Sequence, residues 1–289
     1  MSAGESHASG SVTAAISIDR ERLNPRLRPW IVRAARFGHV GVGLAYMLLG
    51  AVALTASQES GVKAVGFQGA LHRGFENHAG TVLLLVIGFG LITDGIWQGI
   101  RAAFATEPAG TGWKRYLIRA SWIATGFGHI GLAVAAIRLV FGLNDRGRQG
   151  QLQFWTQRIM ALEPGGWFLI GAGLVVIVVG SVLMYRALVG RIDPWLDLSS
   201  AKPAVRFFVV ALARIGMAAR GAIIMVGGGL LITAAVHVNP HEVRGLGGTL
   251  RVIQSQSYGS LLLACVAVGL IAYGLFELTR ARFRRIWLP

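Results

Sequence analysis

Six stretches of the sequence are each long and apolar enough to cross a lipid bilayer as a helix, which needs about 20 residues. They lie near residues 35–56, 79–101, 118–142, 165–188, 207–236 and 258–279. Only 14% of the residues are charged, whereas soluble domains carry roughly 25%. Because the apolar residues come in long blocks, we predict an all-α integral membrane protein with six transmembrane helices.

The basic residues indicate the orientation of these helices. The formal net charge is +15, and the basic residues flank the apolar stretches instead of forming one soluble domain. Nineteen Lys and Arg residues fall on one side of the predicted membrane, in both terminal segments and the even-numbered links, against seven on the other side. The positive-inside rule therefore predicts a multi-pass protein of the inner membrane with both termini in the cytoplasm. The predicted partner of the charges is the lipid bilayer, and no nucleic acid is expected.

A short motif recurs along the chain. Phe37-Gly38-His39-Val40-Gly41 returns as Phe127-Gly128-His129-Ile130-Gly131, 90 positions later, and Ala213-Arg214-Ile215-Gly216 aligns with Ala35-Arg36-Phe37-Gly38 at an offset of 178. Self-similarity at a fixed period is typical of repeat architectures. We therefore divide the chain into a polar tail, predicted to be disordered, and three two-helix units. The bounds are 1–29 for the tail, then 30–105, 115–190 and 204–285 for the units.

The second helices of the three units also align through their glycines, which are Gly80, Gly165 and Gly259 at one level and Gly95, Gly180 and Gly274 at another. Each unit thus consists of a helix out, an outer loop of about 20 residues and a helix back. All three units enter the membrane from the same side, so the repeats are parallel. The predicted architecture is three parallel helix hairpins in a pseudo-threefold bundle.

This pattern resembles a bacterial family, domain of unknown function 1206, whose members carry three tandem two-helix membrane repeats. In that family the first helix of a unit reads Ala-Arg-x-Gly, four residues, then Gly, with Arg before the last Gly. The stretch from Ala213-Arg214-Ile215-Gly216 to Arg220-Gly221 fits fully. The first unit has Val42 in place of the second Arg, and the middle unit has Gly126 and Leu132 in place of both. The resemblance implies a fold and no activity.

Asp94 is a carboxylate in the middle of an apolar stretch, seven positions before Arg101, or about 10 Å inward from that basic end. A charge at such depth is costly and is expected to face the bundle interior with a partner. Arg220 lies at a similar predicted depth, so we predict an intramembrane pair of Asp94 and Arg220, with a histidine as the other candidate partner of Asp94. Such a pair either serves function or only fixes helix packing.

His39 and His129 occupy equivalent places in the first two units, and Met217 takes that place in the third. If the three converged on the bundle axis, they would form a plausible ligand set for haem or copper. No His-x-x-x-His or cysteine-rich pattern accompanies them, so no cofactor or metal is strongly indicated. Interfacial histidines that donate hydrogen bonds are the competing interpretation.

The sequence shows no residue pattern typical of a catalytic site, so we predict that the protein is not an enzyme. Gly126-Phe127-Gly128-His129-Ile130-Gly131 matches the dinucleotide pattern G-x-G-x-x-G, but it lies within an apolar helix and lacks the βαβ context. Two interpretations of function remain in contention. The first is passage or transport of a small solute or ion, and the second is a non-catalytic subunit or scaffold that packs against other membrane proteins. A haem or metal protein is the third, and the oligomeric state is left open.

Overall fold

The computed structural model of the chain describes residues 28–59, 61–74, 78–104, 113–143, 148–189, 196–199, 201–239 and 245–284. This part of the chain is helical, without β-strands. Six long helices are apolar enough to span a membrane. They are α1 (Arg28–Gln58), α3 (His78–Phe104), α4 (Trp113–Val140), α6 (Gly165–Leu188), α7 (Pro203–Val236) and α9 (Gly259–Phe283).

The predicted all-α membrane fold with six spans is therefore confirmed. The bounds of α6 are those predicted from the sequence, and α1 and α7 begin several residues earlier than predicted. These two helices are longer than a bilayer requires, so their basic ends extend to the interface. Most of the tail predicted over residues 1–29 lies outside the described residues.

The loops that join the two long helices of each unit contain three short helices that the sequence patterns did not reveal. They are α2 (Phe67–Gly74), α5 (Arg148–Met160) and α8 (Leu246–Gln254), one in each unit. The side chain of Gln254 links α8 to the first unit, since its amide nitrogen donates to the carbonyl oxygens of Ala56 and Val62, at 2.9 and 2.8 Å. Its amide oxygen accepts from the backbone N–H of Ala64 at 2.9 Å. The first and third units are thus joined at the end of the molecule that carries α8.

The six long helices pack side by side in a single row, in the order α4, α3, α1, α9, α7 and α6. Helices α1 and α9 form the centre of the row, and α4 and α6 form its two ends. A closed pseudo-threefold bundle would also pack α4 against α6. Among the described helices these two do not form a packed pair, so the closed arrangement stays a prediction.

Glycines set the close approach of the two helices within the first and third units. A Cβ atom on Gly41 of α1 would lie 2.5 Å from the Cα of Gly90 of α3. In the third unit, a Cβ on Gly216 of α7 would lie 2.5 Å from the Cα of Tyr273 of α9. Because lipid chains are as apolar as the helix surfaces, such close backbone packing is a main source of helix association in a membrane.

Between units, two of the three helix pairs share one register. A Cβ on Gly274 of α9 would meet the carbonyl oxygen of Gly43 and the side chain of Met47 on α1, both at 2.6 Å. A Cβ on Gly180 of α6 would meet the corresponding atoms of Gly221 and Met225 on α7, at 2.8 and 2.6 Å. The equivalent glycine of α3 contacts a different level of its neighbour.

In that third pair, a Cβ on Gly95 would meet Ile130 at 2.6 Å and the carbonyl oxygen of Gly126 at 3.1 Å. By the repeat alignment these residues lie seven positions before those expected, so α4 is displaced along α3 by two turns, or about 10 Å. The glycines explain the displacement. Where α1 has Gly43 and Gly50, α4 has Ala133 and Val140, and its own glycine comes seven residues earlier, at Gly126.

Candidate functional site: two buried histidine–carboxylate pairs

The displaced register of α4 places His129 beside Asp94. Nδ1 of His129 and Oδ2 of Asp94 are 2.6 Å apart. Asp94 is buried, with 2% of its side chain exposed, whereas the His129 side chain keeps 18% exposure. A carboxylate at this depth requires a hydrogen-bonding partner, and the histidine supplies it. Of the two candidate partners of Asp94, the structure thus brings His129 to it.

Neighbouring side chains extend this pair toward the basic end of α3. The amide nitrogen of Gln98 donates to Oδ2 of Asp94 at 3.2 Å, and its amide oxygen accepts from Arg101 at 2.9 Å. The guanidinium of Arg101 lies 4.5 Å from the ring centroid of Trp122 on α4, in a cation–π contact. The order His129, Asp94, Gln98, Arg101 is a polar path from the middle of α4 to the end of α3.

A second pair joins the two central helices. Nδ1 of His39 on α1 lies 2.9 Å from Oε2 of Glu277 on α9, and both side chains are almost fully buried. Arg284 places Nη1 3.3 Å from Nε2 of His39. Because a guanidinium can only donate, Nε2 is the acceptor and Nδ1–H donates to the carboxylate. His39 is therefore neutral in this arrangement.

Arginines complete the surroundings of Glu277. Its second oxygen accepts from Nη1 of Arg280 at 2.7 Å, so both carboxylate oxygens are occupied. A backbone bridge between Leu196 and Arg284 holds the end of α9 against the segment before α7. The pair of His39 and Glu277 is thus closed on all sides that these contacts describe.

Sequence reasoning missed Glu277, because it falls near the end of the last span among the terminal basic residues. A signal was available in the repeat alignment. Glu277 aligns with Gln98, and Arg280 aligns with Arg101. In both helices the arginine binds the residue three positions before it, a spacing at which helix side chains are neighbours.

The structure does not bring Asp94 and Arg220 together. Arg220 donates from Nη1 to the hydroxyl oxygen of Tyr273. Its guanidinium also lies 5.0 Å from the ring centroid of Tyr273 and 5.7 Å from that of Tyr46. Depth along the membrane was predicted for both charges, but the helix row separates their faces, since Asp94 faces α4 and Arg220 faces α9.

The two histidines and Met217 do not share one centre. Each histidine is bonded to a different carboxylate. Met217 lies in an apolar cluster with Ala213, Tyr273 and Phe276. Within the described ranges, no group of three or more His, Cys, Asp or Glu side chains is placed to hold a metal ion.

Comparison with known proteins bears on this architecture. The family model named Domain of Unknown Function (DUF1206) matches residues 37–105 and 215–284. The predicted resemblance to the DUF1206 family is confirmed. The two DUF1206 matches cover the first and third units, which are the units whose own two helices pack against each other. The middle unit, whose helices form the ends of the row, lies between them.

A relative supports the likeness over nearly the whole chain. The chain is 28% identical over 267 residues to the uncharacterised protein YxxB of Bacillus subtilis (strain 168), covering 92% of this chain and 95% of the relative. No solved structure matches the chain. Neither the family description nor the name of the relative assigns an activity.

Proposed function

We propose that the protein mediates passage of a small solute or ion across the bilayer, and that proton binding at His129 and Asp94 accompanies this passage. The supporting observation is the hydrogen bond between a buried carboxylate and a partly exposed histidine, both within membrane-spanning helices. Ionisable residues inside membranes mark ion and proton pathways in many transport proteins. Histidine is suited to such a step because its charge changes near neutral pH.

The position of the pair supports the same conclusion. Gln98 and Arg101 connect Asp94 to the basic end of α3, which we expect to be the cytoplasmic end. His129 supplies the contact of the pair with the protein surface, on a helix at the end of the row. We infer that a proton reaches the pair through His129, its more exposed member, and is held at the carboxylate of Asp94, with polar side chains beyond it.

Flux into proteoliposomes tests this function. Purified protein is reconstituted with a pH-sensitive dye inside, and a pH step is imposed with potassium and valinomycin present to dissipate the potential. We expect the interior of the proteoliposomes to acidify at least several times faster than that of empty liposomes. This difference should appear both with and without added inorganic ions. Asp94→Asn is expected to reduce the rate to that of empty liposomes.

Glu277→Gln is the matched control, because Glu277 has the same chemistry in a closed environment. It should lower stability and leave the flux per folded molecule intact. Equal rates for the protein and for empty liposomes across a panel of small cations and anions would refute the proposal. So would an unchanged flux in Asp94→Asn.

A second candidate function is that of a membrane subunit that packs against another membrane protein. It is favoured by the exposed apolar faces of the end helices, including Phe127 at 72% and Val175 at 63% exposure. Affinity purification from membranes in mild detergent tests it. A stoichiometric membrane partner that is lost in a variant with charged residues at these two positions would support this function.

A further inference from the structure

The two end helices of the row expose the faces that the other units bury. In the first unit, Gly38 and Gly41 of α1 pack directly on the backbone of α3. The residues at the same places in α4 are Gly128 and Gly131. Within the part of the chain that the structure describes, a Cβ atom on Gly128 would have no heavy atom within 4 Å. The α4 face that should receive a helix therefore has no helix against it at this position.

The opposite face is exposed on α6. By the repeat alignment, Val175 and Val179 stand where α3 has Gly90 and Asp94. They are 63% and 48% exposed. Exposed valines alone do not distinguish contact with lipid from contact with protein, since lipid-facing helices are apolar. A glycine face is different, because small residues are enriched where membrane helices pack closely.

The two faces are also complementary in shape. In the third unit the contact at this level needs a glycine on one helix only, since Gly216 packs against the bulky Tyr273. In the middle unit Gly128, which stands at the place of Gly216, would meet Val179. This contact keeps its glycine, so the two backbones can approach as they do in the third unit.

We propose that α4 of one copy packs against α6 of a second copy, which forms between chains the helix pair that the first and third units form within a chain. Four helices separate α4 from α6 in the row, so a partner in the same chain would require the row to close on itself. In a twofold dimer each copy supplies one α4 face and one α6 face. The dimer then contains two α4–α6 contacts, so each face is covered once and the assembly is closed.

Cross-linking between differently tagged copies tests this pairing. In a background of Cys265→Ala, one tagged copy carries Gly128→Cys and the other carries Val179→Cys, and they are expressed together and oxidised in native membranes. We expect a disulfide-linked product that carries both tags. Matched pairs of Phe89→Cys and Val268→Cys, which are 56% and 52% exposed on α3 and α9, should give at least five-fold less product.

A second variant measures assembly without cross-linking. Native mass spectrometry should give twice the chain mass of 30.8 kDa. Gly128→Leu should give single chains that remain folded, because a Cβ on Gly128 would meet no heavy atom of the described residues within 4 Å. Gly38→Leu is the contrast, since its side chain would collide with the backbone of Asp94 and unfold the protein. The proposal is overturned if the two-tag product does not exceed the control pair, if a chain carrying both cysteines links only to itself, or if the unmodified protein is a single chain.

Discussion

His39 and His129 occupy the same place in two copies of one motif, yet their surroundings differ. His39 lies between Glu277 and Arg284 at the centre of the row and is 3% exposed. His129 binds Asp94 at the end of the row and is 18% exposed. The repeat thus places a histidine at the same position in both helices, whereas the neighbouring helix determines which carboxylate the histidine binds. We assign the closed pair to packing and propose that the more exposed pair exchanges protons.

The largest expected effect comes from removing the carboxylate of Glu277, the acid of the closed pair with His39. Glu277→Leu leaves Arg280 without its carboxylate partner and His39 without its acceptor. Breaking a buried ion pair typically costs about 3–5 kcal/mol, so we expect a loss of this size in the free energy of unfolding. Unfolding in mixed micelles with increasing SDS would measure it.

Glu277→Gln is the control, because it keeps the shape and one acceptor oxygen. It should recover part of the loss, since it removes only the negative charge that faces Arg280. A loss below about 1 kcal/mol in Glu277→Leu would contradict the assignment of this pair to stability.

A second test concerns the register of α4 against α3, which determines the partner of His129. Combining Gly126→Val, Ala133→Gly and Val140→Gly gives α4 the glycine spacing of α1. We expect α4 to move along α3 by two turns, or about 10 Å, which places His129 near Gln98 instead of Asp94. The cost should be about 1–3 kcal/mol, as for other repacked helix interfaces.

Cross-linking from one position on α4 reads this register. In the native protein a cysteine from Ile137→Cys should link to one from Gly88→Cys, since a Cβ on Gly88 lies 3.3 Å from Ile137. In the triple variant it should link instead to a cysteine from Gly95→Cys. If the partner stays at position 88, the glycines do not determine the register.

This test also shows how far the sequence could predict the site. The six spans follow from hydropathy alone, and the depth of Asp94 follows from its distance to Arg101. The partner of Asp94 did not follow, because depth says nothing about which helix a residue faces. Ala133 and Val140 align with Gly43 and Gly50 of α1, and α4 has its own glycine seven residues before Ala133, at Gly126. This pattern indicates the displacement, but its interpretation requires knowing that α4 packs on α3.

The short helices α2, α5 and α8 were missed for a related reason. Each is stabilised by contacts that a single segment does not reveal, such as the bonds from Gln254 to the first unit. Isolated helices of this length are marginal in water, so local patterns carry little signal for them.

The smallest expected effect concerns Trp122, whose ring contacts the arginine that helps to position the pair of His129 and Asp94. The guanidinium of Arg101 lies 4.5 Å from the Trp122 ring centroid and holds Gln98 against Asp94. In a double-mutant cycle of Trp122→Leu and Arg101→Gln, we expect a coupling energy of about 1–2 kcal/mol, which exceeds the value for an exposed cation–π contact because Arg101 is buried. SDS unfolding of the four proteins gives the value. A cycle of Trp122→Leu with Arg280→Gln, on α9, should show no coupling. If the two cycles give equal coupling energies, Trp122 acts through general packing, and the pair of His129 and Asp94 is held by its hydrogen bonds alone.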